Sequence, residues 1–301
     1  MPSHADNARV GVCISGSVRT LLLPCTGKTA VENVITPLGA EVFVSVNVHK
    51  EADLAPATAG VQQLLAGAKL IELDVHVYRH ITTTCDALKG ATVGLPQSMG
   101  LRQCGEWMLP REYDWIVRLR TDTWLPFIIH NLPSSSLYGG RGTAITGAVD
   151  SCQRCTDELH CASDTLCGCT NDQIALLAGS HAQHAFLVGS AGDYCRPMTP
   201  IEGLRSGVGY ELAECKLGWS LASRGVPARD LRFASCHWQG QDVIRDVTII
   251  RDAKGCLDAQ NRTPFKLTAA SLAAIPAGPW NPRRQQLTCG TPDHRKLEDL
   301  R

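Results

Sequence analysis

Arg118, Arg120 and Asp122 stand at alternate positions in the run YDWIVRLRTDTWLP, Tyr113 to Pro126, behind a block of aromatic and branched residues. Such a block is of strand type, and alternate strand residues share a face, so both guanidiniums and the carboxylate line up at the strand's carboxyl end. Burying those charges in an apolar sheet is costly unless each finds a partner. Open α/β sheets place their ligand crevices at the carboxyl ends of strands. An anion together with a metal suits these residue types: Arg grips phosphate oxygens bidentately and Asp is a hard oxygen ligand, as a diphosphate with its divalent cation would require. A structural ion-pair network at the strand end is the alternative that the same residues allow.

The elements that must position these charges follow from hydrophobic patterning. RVGVCIS, Arg9 to Ser15, reads as a short buried first strand, with a turn at Gly16 and Ser17. There Gly16 lets backbone approach a ligand closely, while the Ser15 and Ser17 hydroxyls and Arg19 can hold a ribose and phosphates. An ordinary turn with a surface arginine is the other reading. Val31, Val34, Ile35 and Leu38 recur at helical spacing up to a stop at Gly39, with Pro37 awkward in the last turn. Glu41 to Val48 and Leu70 to Tyr78 read as the second and third strands, and Gln97 to Met108 as a helix before the charged strand. The order strand, helix, strand, strand, helix, strand predicts an α/β fold, a mostly parallel central sheet flanked by helices.

Beyond Pro133 the chain turns irregular, with a short strand expected in TAITGAV and a cysteine-rich insertion at about 150–170. Ile174 to Ala178 then reads as a strand, and Ser180 with Gln183 as a capping box opening a helix. Val208, Leu212, Cys215 and Trp219 form a helical stripe that sets Glu211 beside Glu214, and that helix is expected to end near Gly225. Two regions are expected: a domain over 1–250 carrying the insertion, and a C-terminal extension over 251–301 that wraps the domain or frays.

Composition narrows the function classes. The chain has 301 residues, with 29 Lys plus Arg against 29 Asp plus Glu, so no general basic field favours nucleic acid or an anionic bilayer. Anion recognition must be local. No apolar run reaches the roughly 18 residues of a membrane span, and MPSHADNARV lacks the apolar core of a secretory signal, which predicts a soluble, cytoplasmic chain. A trimmed chain would suit a secretory-pathway lumen instead. Fourteen cysteines, five of them Cys152, Cys155, Cys161, Cys167 and Cys169, argue for an oxidising compartment; in that stretch disulfides, zinc and free thiols all remain open, as a structural feature away from the chemistry. The absence of GxxxxGK[ST] argues against P-loop enzymes, and that of GxGxxG after the first strand against dinucleotide-binding dehydrogenases.

Three segments together, VGVCISGSVR, WIVRLRTDTW and TNDQIALLAGSHAQHAF, resemble nucleotide-sugar-dependent glycosyltransferases of the GT-A type, whose fold is related to the Rossmann sheet. Their order and spacing are most similar to a group from algae, protists and large viruses, in which a GxxR loop precedes an RxRxD strand and a later NDQ. The resemblance covers roughly residues 9–245. It implies a metal-dependent hexosyl- or deoxyhexosyltransferase acting on a hydroxyl of a glycan or other acceptor, with Mn2+ or Mg2+ and a UDP-sugar donor, a GDP-sugar being the second choice. In that fold a DxD motif holds the metal, and only Asp122 carries over, with His237 in ASCHWQG at the place of a later ligand. Ser15, Gly16, Ser17, Arg19, Arg118, Arg120 and Thr121 are then expected around the donor nucleotide. Asp172 is the first candidate for the base that takes the acceptor proton and Glu211 the second, although carboxylates also suit the start of a helix for its dipole alone. The alternatives are a non-catalytic nucleotide-sugar or glycan-binding module with a degenerate DxD, and a nucleotidyltransferase.

Overall fold

The computed structural model describes residues 8–78, 95–125, 127–146 and 173–193, with shorter pieces between 217 and 275. Eleven strands are present among them: β1 (Val10–Ser17), β2 (Glu41–Val48), β3 (Lys69–Val77), β4 (Trp115–Arg120), β5 (Thr123–Trp124), β6 (Phe127–Ile129), β7 (Thr143–Thr146), β8 (Ile174–Ala178), β9 (Ala228–Asp230), β10 (Thr248–Ile249) and β11 (Phe265–Leu267). Seven of them form the central sheet in the order β3-β2-β1-β4-β8-β7-β9. Only β8 is antiparallel to its neighbours; β1 pairs parallel with β2 and β4, β2 with β3, and β7 with β9. The α/β architecture with a mostly parallel sheet is therefore the one that the patterning predicts.

Parallel neighbours need a crossover, and the sequence reading supplied none between β2 and β3. The structure has one, the helix Leu54–Leu64. Pro56 hides it in the sequence, yet it lies in the helix's first turn, where no backbone N–H is required. Before β2 the chain runs helically from Gly27–Ala30 through a π turn, Val31–Ile35, into Thr36–Leu38, and stops at a left-handed Gly39. The widened turn, in which Thr36 N bonds Val31 O, comes just before Pro37, which has no N–H to give, and the helix end is closed around Gly39 by Ala40 N on Ile35 O at 3.2 Å. The expected box at Ser180 is not made. Gly179 is the N-cap with no side-chain bond, and Gln183 Nε2 instead donates to Tyr113 O at 2.8 Å, tying the helix to the start of β4.

One face of the sheet packs Val12, Ile14, Val42, Val44, Val46, Trp115, Val117 and Leu119 into the larger core, joined by Leu267, Leu272 and Ile275 from beyond residue 251. The other face, with Cys13, Phe43 and Ile116, is covered by the helix Leu95–Met108 and the helical run after β8. A disulfide between Cys13 and Cys104 fastens that helix to β1. A second, Cys25–Cys256, is buried against Trp124 of β5. The segment from Cys152 to Cys169 lies outside the described residues.

At the sheet's amino edge Glu41 collects Lys69 Nζ at 2.5 Å, Arg9 Nη2 at 3.3 Å and the Tyr113 hydroxyl. Those hydrogen bonds, from Lys69 first and Tyr113 second, pull the Glu41 carboxyl down to about 2. Burial, reinforced by Glu41, pushes the Tyr113 phenol up.

Candidate functional site

Register brings together the two motifs that the sequence separates by a hundred residues. In the parallel pair β1–β4, Cys13 lies opposite Arg118 and Ser15 opposite Arg120, so the GSVR loop and the RLRTD turn leave the sheet side by side at its carboxyl edge. They touch: Thr121 N donates to Ser15 O at 3.3 Å, and Thr20 Oγ1 is hydrogen-bonded to the Ser17 carbonyl at 3.0 Å and to Thr121 Oγ1 at 3.1 Å. Gly16 is what allows this approach. Its φ of 137° is in the region that side chains resist, and a Cβ there would meet Thr121 Oγ1 at 2.4 Å.

The charges are arranged less simply than alternation suggests. Arg118 and Arg120 share a face, but Arg118 is completely buried at 0% exposure, while Arg120 and Asp122 keep 17% and 19% of their side chains exposed. Asp122 lies in the turn beyond β4 and is gripped by Arg120: Nε donates to Oδ1 at 2.8 Å and Nη2 to Oδ2 at 2.7 Å. Both carboxylate oxygens are thereby engaged by one guanidinium, the ion pair that the sequence left as the structural alternative. Arg19 is exposed on the short helix Val18–Leu21 directly after the loop.

Residues that the sequence reading passed over extend the site. In register with Ser15 come Ser45 of β2 and then Asp74 of β3; in register with Ser17 come Asn47 and then His76. These side chains continue the face of Cys13 and Phe43, so the carboxyl end of an otherwise apolar surface becomes a polar strip, from Arg120 across to His76. Three inter-strand steps make it about 14 Å wide. The signal was present in SVNV and LDVHV, where a polar residue falls at every second position. His76 Nδ1 is bonded to Asp74 Oδ2 at 2.7 Å, which fixes the ring. Gly100 seats the covering helix on the strip: a Cβ there would be 3.0 Å from Ser15 Cβ and 3.3 Å from Ser45 O. Ser15 Oγ is buried with no hydrogen-bond partner among the described residues, a donor and acceptor held ready at the centre of the strip.

Because β8 runs opposite to β4, its amino end arrives at this same edge. Arg120 N donates to Gln173 O at 2.9 Å and Thr123 Oγ1 lies 3.4 Å from the same oxygen. Asp172, Glu211 and His237 lie outside the described residues. No group of three or more His, Cys, Asp or Glu side chains suited to a metal occurs among the described residues, so Asp122 is the carboxylate that the two motifs themselves contribute.

No family model matches the chain, and no curated protein matches it. Among solved structures it is similar to the apo structure of the bifunctional glycosyltransferase WbbM, at 12% identity and a TM-score of 0.42, over 92% of this chain and 48% of that one. The chain thus spans about half the length of that structure.

Proposed function

We propose that this protein is a glycosyltransferase, taking a hexosyl or deoxyhexosyl group from a nucleoside diphosphate sugar to a hydroxyl of a glycan or other acceptor, with Mn2+ or Mg2+. The observation that carries the reading is the meeting of the GSVR loop and the RLRTD turn at the carboxyl ends of adjacent parallel strands, where open α/β sheets bind nucleotides. The helix Leu95–Met108 covers the strip at Ser15 and Ser45, so a nucleoside with two phosphates would lie along its part-exposed outer positions, from Arg120 past Ser17 to Asp74 and His76. In this reading Arg19 and Arg120 take the diphosphate, Ser15, Gly16, Ser17 and Thr121 line its path, and Asn47 with the Asp74–His76 pair meets the ribose and base. Arg118 adds a buried positive charge behind Arg120.

The donor set fits a hard divalent cation: one carboxylate, with the diphosphate's own oxygens and water completing the shell as Mg2+ sites commonly do. Asp122 would hold it, with His237 as a second ligand, and its chemistry is to neutralise charge on the departing diphosphate. Asp172 is assigned the acceptor proton because its sequence neighbour Gln173 is bonded to Arg120, and Glu211 is the second candidate. The two described disulfides favour an oxidising compartment such as a secretory lumen. No helix among the described residues is long and apolar enough to cross a membrane.

A thermal-shift screen of UDP, GDP and their sugars, with and without manganese, tests the reading. A rise in Tm with one base, larger in manganese, is expected, since a ligand of the folded state stabilises it by mass action. No shift with any nucleotide would overturn it. The bidentate engagement of Asp122 favours a second reading, a binding module with a degenerate metal motif; nucleotide binding with no sugar transfer or donor hydrolysis would select that one.

A further inference from the structure

Thr20 is a buried residue, 5% exposed, at the meeting of the GSVR loop and the RLRTD turn, and it has no part in the ligand contacts proposed above. Its Oγ1 is hydrogen-bonded to the Ser17 carbonyl at 3.0 Å, within its own loop, and to Thr121 Oγ1 at 3.1 Å, 101 residues away. The second bond joins two residues whose sequence neighbours are the charges of the site: Arg19 precedes Thr20, and Arg120 and Asp122 flank Thr121. On one side Val18 and Thr20 are both buried, so Arg19 leaves its short helix between two fixed points. On the other, Arg120 Nε and Nη2 hold the Asp122 carboxylate at 2.8 and 2.7 Å, which closes Arg120, Thr121 and Asp122 into one unit. Whatever holds Thr121 therefore holds both of its neighbours. The backbone of Thr20 is anchored without the hydroxyl, since its carbonyl accepts Leu23 N at 3.2 Å and the Thr26 hydroxyl, beside the Cys25–Cys256 disulfide.

We propose that Thr20 is a positioning residue, whose hydroxyl sets the distance between Arg19, after the end of β1, and Arg120, at the end of β4. This inference rests on the functional reading above and adds to it the device that lets one diphosphate reach both arginines. Charge-assisted bonds from a guanidinium demand geometry as well as charge, and a binding constellation works only when its groups are held to within about 0.5 Å. A ligand with two phosphates engages both arginines only if their spacing matches its own. A single phosphate needs one arginine and is indifferent to that spacing. The bond from Thr121 N to Ser15 O, at 3.3 Å, is the weaker of the two ties on Thr121, which leaves the Thr20 hydroxyl to fix the turn.

Calorimetry on the full chain in manganese tests this role with uridine diphosphate and uridine monophosphate, or with the guanosine pair if that base binds, in the wild type, Thr20→Val and Thr20→Ser. Valine keeps the shape of the side chain and removes the hydroxyl. Thr20→Val is expected to weaken the diphosphate about fivefold or more and the monophosphate less, so the ratio of the two affinities falls. Thr20→Ser, which keeps a hydroxyl, should restore that ratio. A hydroxyl that only stabilised the fold would lower Tm in Thr20→Val and leave the ratio alone. A double-mutant cycle gives a second readout: Arg19→Lys should cost less diphosphate affinity in the Thr20→Val background than in the wild type, because the shared grip is already loosened. If Thr20→Val fails to fold, Thr121→Val cuts the same bond from the other side and decides in its place. An unchanged ratio, or an additive cycle, would overturn the role of Thr20 and leave the glycosyltransferase reading standing. Failure of both uridine and guanosine diphosphates to bind the wild type in manganese would overturn both.

Discussion

Gly16 is the residue whose replacement asks the most direct question of the site. An alanine there must adopt φ near 137° and set its Cβ against Thr121 Oγ1, so Gly16→Ala is expected to cost about 1–3 kcal/mol in stability and to displace the RLRTD turn. Thermal unfolding would read the first effect and calorimetry with uridine diphosphate the second; an unchanged Tm would remove the close approach as a constraint. Arg19 makes the opposite case. It is exposed, so Arg19→Lys should leave Tm in place while weakening diphosphate affinity about ten- to a hundredfold, since a lysine cannot reproduce a guanidinium fork. A lowered Tm with unchanged affinity would make Arg19 structural. At this scale the sequence made residue type and position legible, setting the charges of RLRTD and the glycine of GSVR at the carboxyl ends of their strands. Pairing depends on where side chains end, so which charges pair, Arg120 with Asp122, and the depth of Arg118 needed coordinates.

The strands were legible because fully buried parallel strands are apolar throughout: the expected second strand, Glu41 to Val48, coincides with β2. Helices on such a sheet need only one apolar stripe, and Leu54–Leu64, interrupted by Pro56 and Gly60, buries only Ala57 and Val61. Its pattern was too thin to see. Gln183 misled for another reason: its spacing from Ser180 suits a capping box, but the buried carbonyl of Tyr113 is the partner it takes. The helix Leu95–Met108 matters most to the site, since it roofs Ser15 and Ser45 through Gly100 and is held to β1 by Cys13–Cys104, a link across 91 residues. Replacing both cysteines by serine is expected to lower stability by about 2–4 kcal/mol and to weaken nucleotide binding along with it. Urea unfolding and calorimetry on the same variant would check this; lost stability with intact affinity would separate the roof from the strip.

For the whole molecule, balanced charge hides a division of labour between the two edges of one sheet. The amino edge carries Glu41 with Arg9, Lys69 and Tyr113, which precede or open the four strands β1 to β4. Because the folded state holds the Glu41 carboxyl down at about 2 from an ordinary value of 4.5, its contribution is fully present above pH 4.5 and is lost as pH falls toward 2. Acid unfolding should therefore steepen over that interval in the wild type and flatten there in Glu41→Gln; identical profiles would dismiss the cluster as a stabilising element. Arg9 and Lys69 are half-exposed or more, so added salt should shrink the difference. At the carboxyl edge β2 and β3 stay paired through Asn47 and His76 in register and through Tyr78 N, which donates to Val48 O at 2.6 Å, but no ion pair links the two strands there among the described residues. In solvent deuterium the amides of β1 and β2 should therefore exchange along a gradient, slowest at Val12 and Val42 and fastest toward Ser17 and Asn47. A nucleotide that bridges those ends, as the proposed function requires, should slow their exchange and flatten the gradient, so the same measurement made with and without it maps where the ligand lies.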